Sequence, residues 1–309
     1  MRIKEIDFLK GLLILLVISF HLVYIEHLYP YAKQVVYTFH MPAFLVISGY
    51  LLNTDKAMKV FLRSLLWLVI PYLVMESGYI LMAALLPIGD HIDKLDAAVF
   101  FDNLLLHPIG PYWYLHTLIQ CKAISYSVMR IESLNNVSQI IMTCLLLYIF
   151  SKGFSALSFT SATYFLIGTI MRYSRISLIN VCKPSLLAIL TFAILIIEAQ
   201  NLKASTITGI IIVYMSMNSF LTLFRHSGDT VRNALQFCGR NSLSLYLFSP
   251  MFTILCKPMA PMLSFDPTGI LFLLLALVVC TSGSLLVASI MDKTGMARLM
   301  FGKEIYAGY

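Results

Sequence analysis

Polar and apolar positions in this chain fall into long blocks, with charged or Gly/Pro-containing connectors between runs of mostly apolar residues. Ten such runs can be marked: Phe8–Ile25, Val35–Leu52, Val60–Leu86, Pro111–Met129, Val137–Phe150, Ser158–Met171, Pro184–Ala199, Ala204–Phe224, Leu235–Cys256 and Thr268–Met291. A helix needs about 17–25 apolar residues to cross the hydrocarbon core. The fifth, sixth and seventh runs are shorter than that. The third is long and contains Pro71, which predicts a kink or a tilt. Most connectors are short. The exception is Pro87–Gly110, with Asp90, Asp93, Asp96 and Asp102, which reads either as a lid or substrate platform or as a solvated connector. The pattern predicts an all-α, polytopic transmembrane helix bundle of about ten spans, a single membrane-embedded domain over residues 1–309.

Composition narrows the class further. Of 309 residues, 59% are hydrophobic and 12% charged, about half the charged fraction of a soluble domain, near 25%. Disorder is excluded by the hydrophobicity, a collagen-like chain by only 15 glycines, and a disulfide scaffold by 6 scattered cysteines with no C-x-x-C pair. Core packing is the expected role of those cysteines. The net charge of +7 at first resembles a nucleic-acid binder, but no basic stripe interleaves with aromatics, so no nucleic-acid partner is expected. With ten spans, sixteen Lys and Arg residues fall on the side of the N-terminus and five on the other, Lys122 lying inside a span. The positive-inside rule then places both termini in the cytoplasm. The first run follows Arg2 and Lys4 like a signal peptide, yet it holds Asp7, Lys10 and His21 without a small-residue cleavage site, so it reads as a retained helix.

Ionisable groups inside a membrane are costly and mark functional sites by default. Asp7, Lys10, Ile14, Val17 and His21 share one helical stripe, with His21 about 16 Å outward of Lys10 at 1.5 Å per residue. The second run opens Phe39-His40-Met41-Pro42. Five residues into that run, His40 is expected about 8 Å below the outer boundary, at a depth similar to His21 and able to face it. Glu76 in the third run and His116 in the fourth are further titratable groups. A histidine can act as a general base; metal binding, a proton relay and plain hydrogen-bonded packing are the other uses of such residues. The spacing carries no metal signature. Glu76 can orient a histidine, as carboxylates often do, or stand beside an aqueous cavity. Ser48-Gly49 reads as a close-packing element between helices.

The run Ile6-Asp7-Phe8-Leu9-Lys10-Gly11 with His21 resembles the first helix of the integral-membrane acyltransferase-3 family, in which a histidine follows eleven positions after a basic residue. Five further segments are similar to that family's motifs in the same order: Phe39-His40-Met41-Pro42 through Ser48-Gly49-Tyr50-Leu51, Lys59 and Arg63 ahead of Pro71-Tyr72, Trp113-Tyr114-Leu115, Tyr164-Phe165-Leu166-Ile167-Gly168, and Gly239-Arg240-Asn241-Ser242-Leu243-Ser244-Leu245-Tyr246-Leu247. The resemblance implies a ten-helix O-acyltransferase of the bacterial plasma (inner) membrane, multi-pass. It would move an acyl group, usually acetyl, from cytoplasmic acyl-CoA (acetyl-CoA) to a sugar hydroxyl of a cell-surface glycan, such as a lipopolysaccharide or polysaccharide, or of its lipid-linked precursor. Membrane lipids and that carbohydrate acceptor are then its partners, and no metal is implied.

Carried over by residue, His21 is the catalytic candidate, His40 belongs to the second motif, and Glu76 joins them from the reading of intramembrane charges. Lys10, Lys59 and Arg63 are candidates for the donor's phosphates, with ordinary positive-inside anchoring as the other reading of each. Two departures stand out. Lys10 stands where most relatives carry Arg, which keeps the charge and loses the bidentate fork. Ser249 stands where the ninth-helix motif usually ends in His. A reading from another class is a transporter or exporter of a glycan or small metabolite that uses intramembrane His and Lys as a proton relay. Transporters often carry inverted repeats, and no such symmetry is visible.

Overall fold

The structure, a computed structural model, describes residues 2–85 and 90–306. Its regular structure is helical throughout the described residues. In chain order the helices are α1 (Lys4–Phe20), α2 (Val23–Leu28), α3 (Pro30–Tyr50), α4 (Met58–Leu85), α5 (Ala97–Leu105), α6 (Trp113–Val128), α7 (Asn136–Gly153), α8 (Phe159–Tyr173), α9 (Leu178–Val181), α10 (Leu186–Leu195), α11 (Ile207–His226), α12 (Asp229–Arg240), α13 (Ser242–Leu255), α14 (Met259–Met262), α15 (Ile270–Lys293) and α16 (Met296–Phe301). Every one of the ten apolar runs falls on helix. Among the described residues, three helices, α4, α11 and α15, are long and apolar enough by themselves to cross a membrane. α4, with 28 residues continuing through Pro71, is about 42 Å long at 1.5 Å per residue, more than a hydrocarbon core of about 30 Å.

Two runs break where one span was expected. Phe8–Ile25 is α1 followed by the separate short α2. The backbone N–H of His21 returns to Val17 and Ile18, and Leu22 is extended, at φ −80° and ψ 103°. Leu235–Cys256 is divided at Asn241 between α12 and α13. α12 is amphipathic and begins before the apolar run, at Asp229. The second run starts earlier than its hydrophobicity indicates, with Pro30 as the first residue of α3. Proline is favoured there because its missing N–H has no helical partner in any case. His40 is therefore ten residues into its helix, about 15 Å, deeper than expected.

The chain forms two compact units, Met1–Phe44 with Ile179–Leu299 and Lys303–Tyr309, and Leu45–Leu178 with Met300–Gly302. In the first, α1 is the core helix. Phe8, Leu9, Leu13 and Ile18 are fully buried against neighbours that include α11, α12, α13 and α15. A helix buried on several sides needs no polar face. Its crossing with α12 depends on two glycines. A Cβ on Gly11 would strike the Leu235 carbonyl and the Gly239 nitrogen, and a Cβ on Gly239 would strike the Asp7 carbonyl and the Gly11 nitrogen. In the second unit the same device recurs. Gly49 lies against the backbone of Phe165 and Thr169, and Gly168 against that of Val46 and Tyr50. The Ser48 hydroxyl is 2.8 Å from the Tyr114 hydroxyl. Thus the motif segments around Gly11 and Gly239 meet in one unit, and those around Ser48-Gly49, Tyr114 and Gly168 meet in the other.

The long connector, of which residues 87–89 lie outside the described part, is fastened to α4. Tyr72 donates to the Leu104 carbonyl at 2.7 Å, Tyr79 to Asp90 at 2.8 Å, and the Asp96 carboxylate caps α5 at the Val99 N–H. Asp102 lies 3.0 Å from His107. Asp93 lies 3.8 Å from His91, so all four aspartates have a partner, three within the connector and Asp90 on α4.

Candidate active site

His21 closes α1 and is exposed, whereas His40, inside α3, is buried. Their shared neighbour is Tyr37, one helical turn before His40. Its ring centroid is 6.4 Å from that of His21 and 5.0 Å from that of His40, so the phenol ring neighbours both imidazoles. The Tyr37 hydroxyl donates to the Phe20 carbonyl at 3.2 Å, which ties α3 to the last residue of α1. The two histidines thus share Tyr37 as a neighbour, although His40 lies farther along its helix than the sequence indicated.

Each imidazole is oriented in the same way. Nδ1 of His21 is 2.7 Å from the Val17 carbonyl, and Nδ1 of His40 is 2.7 Å from the Val36 carbonyl. A carbonyl oxygen only accepts, so for a neutral ring Nδ1 must carry the hydrogen and Nε2 the lone pair. A helix that offers its own i−4 carbonyl therefore fixes the tautomer and leaves Nε2 as the proton acceptor.

The chain just beyond His21 is held from several directions. Tyr29 donates to the Thr268 carbonyl at 2.7 Å, Tyr24 packs edge-on to Phe272, and Tyr31 donates to the carbonyls of Ile196 and Ile197. Glu26 on α2 pairs with Lys33 on α3, and the Lys33 ammonium stands 5.2 Å from the Tyr37 ring centroid. Both charges lie within electrostatic range of His21. A cleft of about 320 Å³ lies beside them, lined by Pro30, Lys33, Gln34, Tyr37, Thr38, Leu202 and Ala204. That volume is at the lower end of small-molecule sites, about 300–1,000 Å³.

The other expected site residues are placed as follows. Glu76 is fully buried in the second unit. Its Oε1 accepts the Ile109 N–H at 2.8 Å, and its Oε2 has no hydrogen-bond partner among the described residues. The carboxylate thus holds the end of the long connector, a role the sequence reading did not assign. His116, also in the second unit, is 2.9 Å from the Leu105 carbonyl. Lys10 is half-buried on α1 near Asp7, Arg2 and Lys303, with Asp7 ion-paired to Arg2 at 2.8 Å. Lys59 and Arg63 are exposed, one turn apart near the start of α4 in the second unit. Ser249 is buried in α13. Tyr37, Glu26 and Lys33 were missed in the sequence. Among 17 tyrosines nothing distinguishes Tyr37 except its position three residues before His40, on the same helix face.

The long apolar helices α4, α11 and α15 fit a membrane-spanning helical protein, and the histidine pair lies at the end of α1 and within α3. The acyltransferase-3 family model, described as an acyltransferase domain, matches residues 3–289. The chain belongs to that family and is a membrane acyltransferase. Neither a curated protein nor a solved structure gave a match.

Proposed function

We propose that this protein transfers an acyl group, acetyl in the first instance, from cytoplasmic acyl-CoA to a sugar hydroxyl of a cell-surface glycan or its lipid-linked precursor, with His21 as general base. The observation that carries the reading is the orientation of His21. Its Nδ1 is committed to Val17 and its Nε2 lone pair is left for a proton, and its neighbour Tyr37 lines a cleft together with Lys33 and Gln34. In the reaction the sugar oxygen attacks the thioester carbon as its proton passes to Nε2. The carbon–sulfur bond then breaks, and the imidazolium returns the proton to the departing thiolate. His40 and Tyr37 orient the base and its substrate. The test is transfer of labelled acetyl from acetyl-CoA to isolated surface glycan in membranes containing the protein. Absence of label in the glycan with intact, folded protein would overturn the reading.

Two further parts of the proposal have their own measurements. Ten spans with both termini in the cytoplasm of a bacterial inner membrane follow from the sixteen-to-five division of Lys and Arg. A reporter fused after Tyr309 is expected to read cytoplasmic, and a periplasmic signal there would refute the topology. Lys10, Lys59 and Arg63 supply cationic charge for the donor's phosphates. Arg63→Gln is expected to raise KM for acyl-CoA by several-fold with kcat little changed, the pattern of lost uniform binding. An unchanged KM in a well-expressed variant returns Arg63 to membrane anchoring.

A further inference from the structure

The second unit contains a cleft of about 770 Å³ that no step above uses, at the C-terminal ends of α3 and α8 and the N-terminal end of α7. We propose that this cleft binds a phosphate ester, whose anionic oxygens are taken by Arg172 and Arg175. Its lining is rich in unmet donors. Arg172 and Arg175 have no side-chain partner among the described residues. Asn136 Oδ1 already accepts from the Tyr173 hydroxyl at 3.0 Å, and Asn53 Oδ1 accepts the Asp55 N–H at 2.9 Å. What the two amides have left to offer is their Nδ2 hydrogens. The lining residues carry two guanidiniums and two amides against one carboxylate, that of Asp55, so the balance favours an anion. A phosphate's oxygens match the planar donor fork of arginine.

The walls are fixed. The Tyr173 hydroxyl shares its one hydrogen between Asn136 Oδ1 and Gln139 Oε1, which joins α8 to α7. Arg130 donates to the Lys56 carbonyl at 2.7 Å and Tyr126 donates to the same carbonyl at 2.5 Å, which fastens the Asn53–Lys56 loop to α6.

The placement of Arg175 separates this reading from simple membrane anchoring. α8 ends with the Ile176 N–H on the Met171 carbonyl and the Arg175 N–H on the Arg172 carbonyl, the paired bonds of a Schellman motif. Arg175 occupies the left-handed position at φ +58°, where glycine is usual and a side chain costs free energy. Anchoring by positive charge is satisfied at any nearby position. It gives no reason to put the charge on the one residue whose backbone disfavours a side chain, whereas a ligand in the adjoining cleft does.

Phosphate esters reach such a cleft from two sources, a soluble nucleotide-like molecule or a lipid headgroup. The purified full-length protein is tested with three probes: coenzyme A, inorganic pyrophosphate, and nanodiscs containing phosphatidylglycerol compared with phosphatidylcholine. Loss of one guanidinium's charged hydrogen bonds corresponds to about tenfold or more in affinity, expected in both Arg172→Gln and Arg175→Gly. Arg175→Gly should melt no lower than the parent, because glycine suits the left-handed position. Loss with coenzyme A or pyrophosphate assigns a soluble phosphate. Loss confined to phosphatidylglycerol assigns a headgroup. Parent-like binding of all three probes by folded Arg172→Gln and Arg175→Gly proteins overturns the proposal. The site does not depend on acyl transfer: a His21 variant without activity should still bind the probe, so the two readings fail separately.

Discussion

Membranes containing His21→Gln are expected to transfer no acetyl above background, a loss of about 10²–10⁴-fold, the usual contribution of a positioned acid–base group. Glutamine retains a hydrogen-bonding side chain at the end of α1 but cannot accept the sugar proton. His21→Ala should be equally inactive. Neither should unfold the first unit, because His21 is exposed and its helix is anchored by Phe8, Leu9, Leu13 and Ile18. His40→Ala should give a smaller loss, since His40 is buried behind the shared contact with Tyr37. Labelled-glycan yield normalised to folded protein is the measurement. Substantial transfer by folded His21→Gln would make His21 structural and move the search for the base to His40, His116 or Glu76.

The second large effect is on folding. Gly239→Ala should lower the melting temperature and yield of detergent-solubilised protein, with a cost of about 1–3 kcal/mol typical of overpacking. The added methyl would meet the Asp7 carbonyl and the Gly11 nitrogen. Both are backbone atoms inside rigid helices and cannot rotate away as a side chain would. Gly78→Ala is the control. Nothing lies within 4 Å of a Cβ at Gly78 in α4, so there alanine should only gain helix propensity, about 1 kcal/mol. If Gly239→Ala melts like Gly78→Ala, the α1–α12 crossing is not the tight joint described.

These outcomes divide the chain's motifs by what they do. The apolar runs located helices well because hydrophobic length is what lipid selects. They did not locate the breaks at His21 and Asn241. A hydrophobicity pattern averages over residues, while a break depends on where individual backbone bonds go, as with the His21 N–H on Val17 and Ile18. The histidine pair was legible because an imidazole in an apolar run is conspicuous. Tyr37 was not, since phenol rings are common in membrane helices and only its distances to the two imidazoles single it out. Glu76 was visible as a buried acid, but its partner is a main-chain N–H across a long connector, and no side-chain pattern encodes that. Arg172 and Arg175 entered the charge count as anchors. Their distinguishing property, the left-handed φ of Arg175 beside a donor-rich cleft, is a matter of backbone geometry.

The paired glycines also bear on the order in which the protein is made. The two halves of the α1–α12 joint leave the ribosome in chain order, Gly11 before Gly239. The second half follows only after the whole of Leu45–Leu178, an unbroken stretch of the second unit, has been synthesised. During that interval α1 has its groove without the helix that fills it. The second unit has both of its glycine partners, Gly49 and Gly168, within that one continuous stretch, so it can close its own joint while the first unit waits for its C-terminal half.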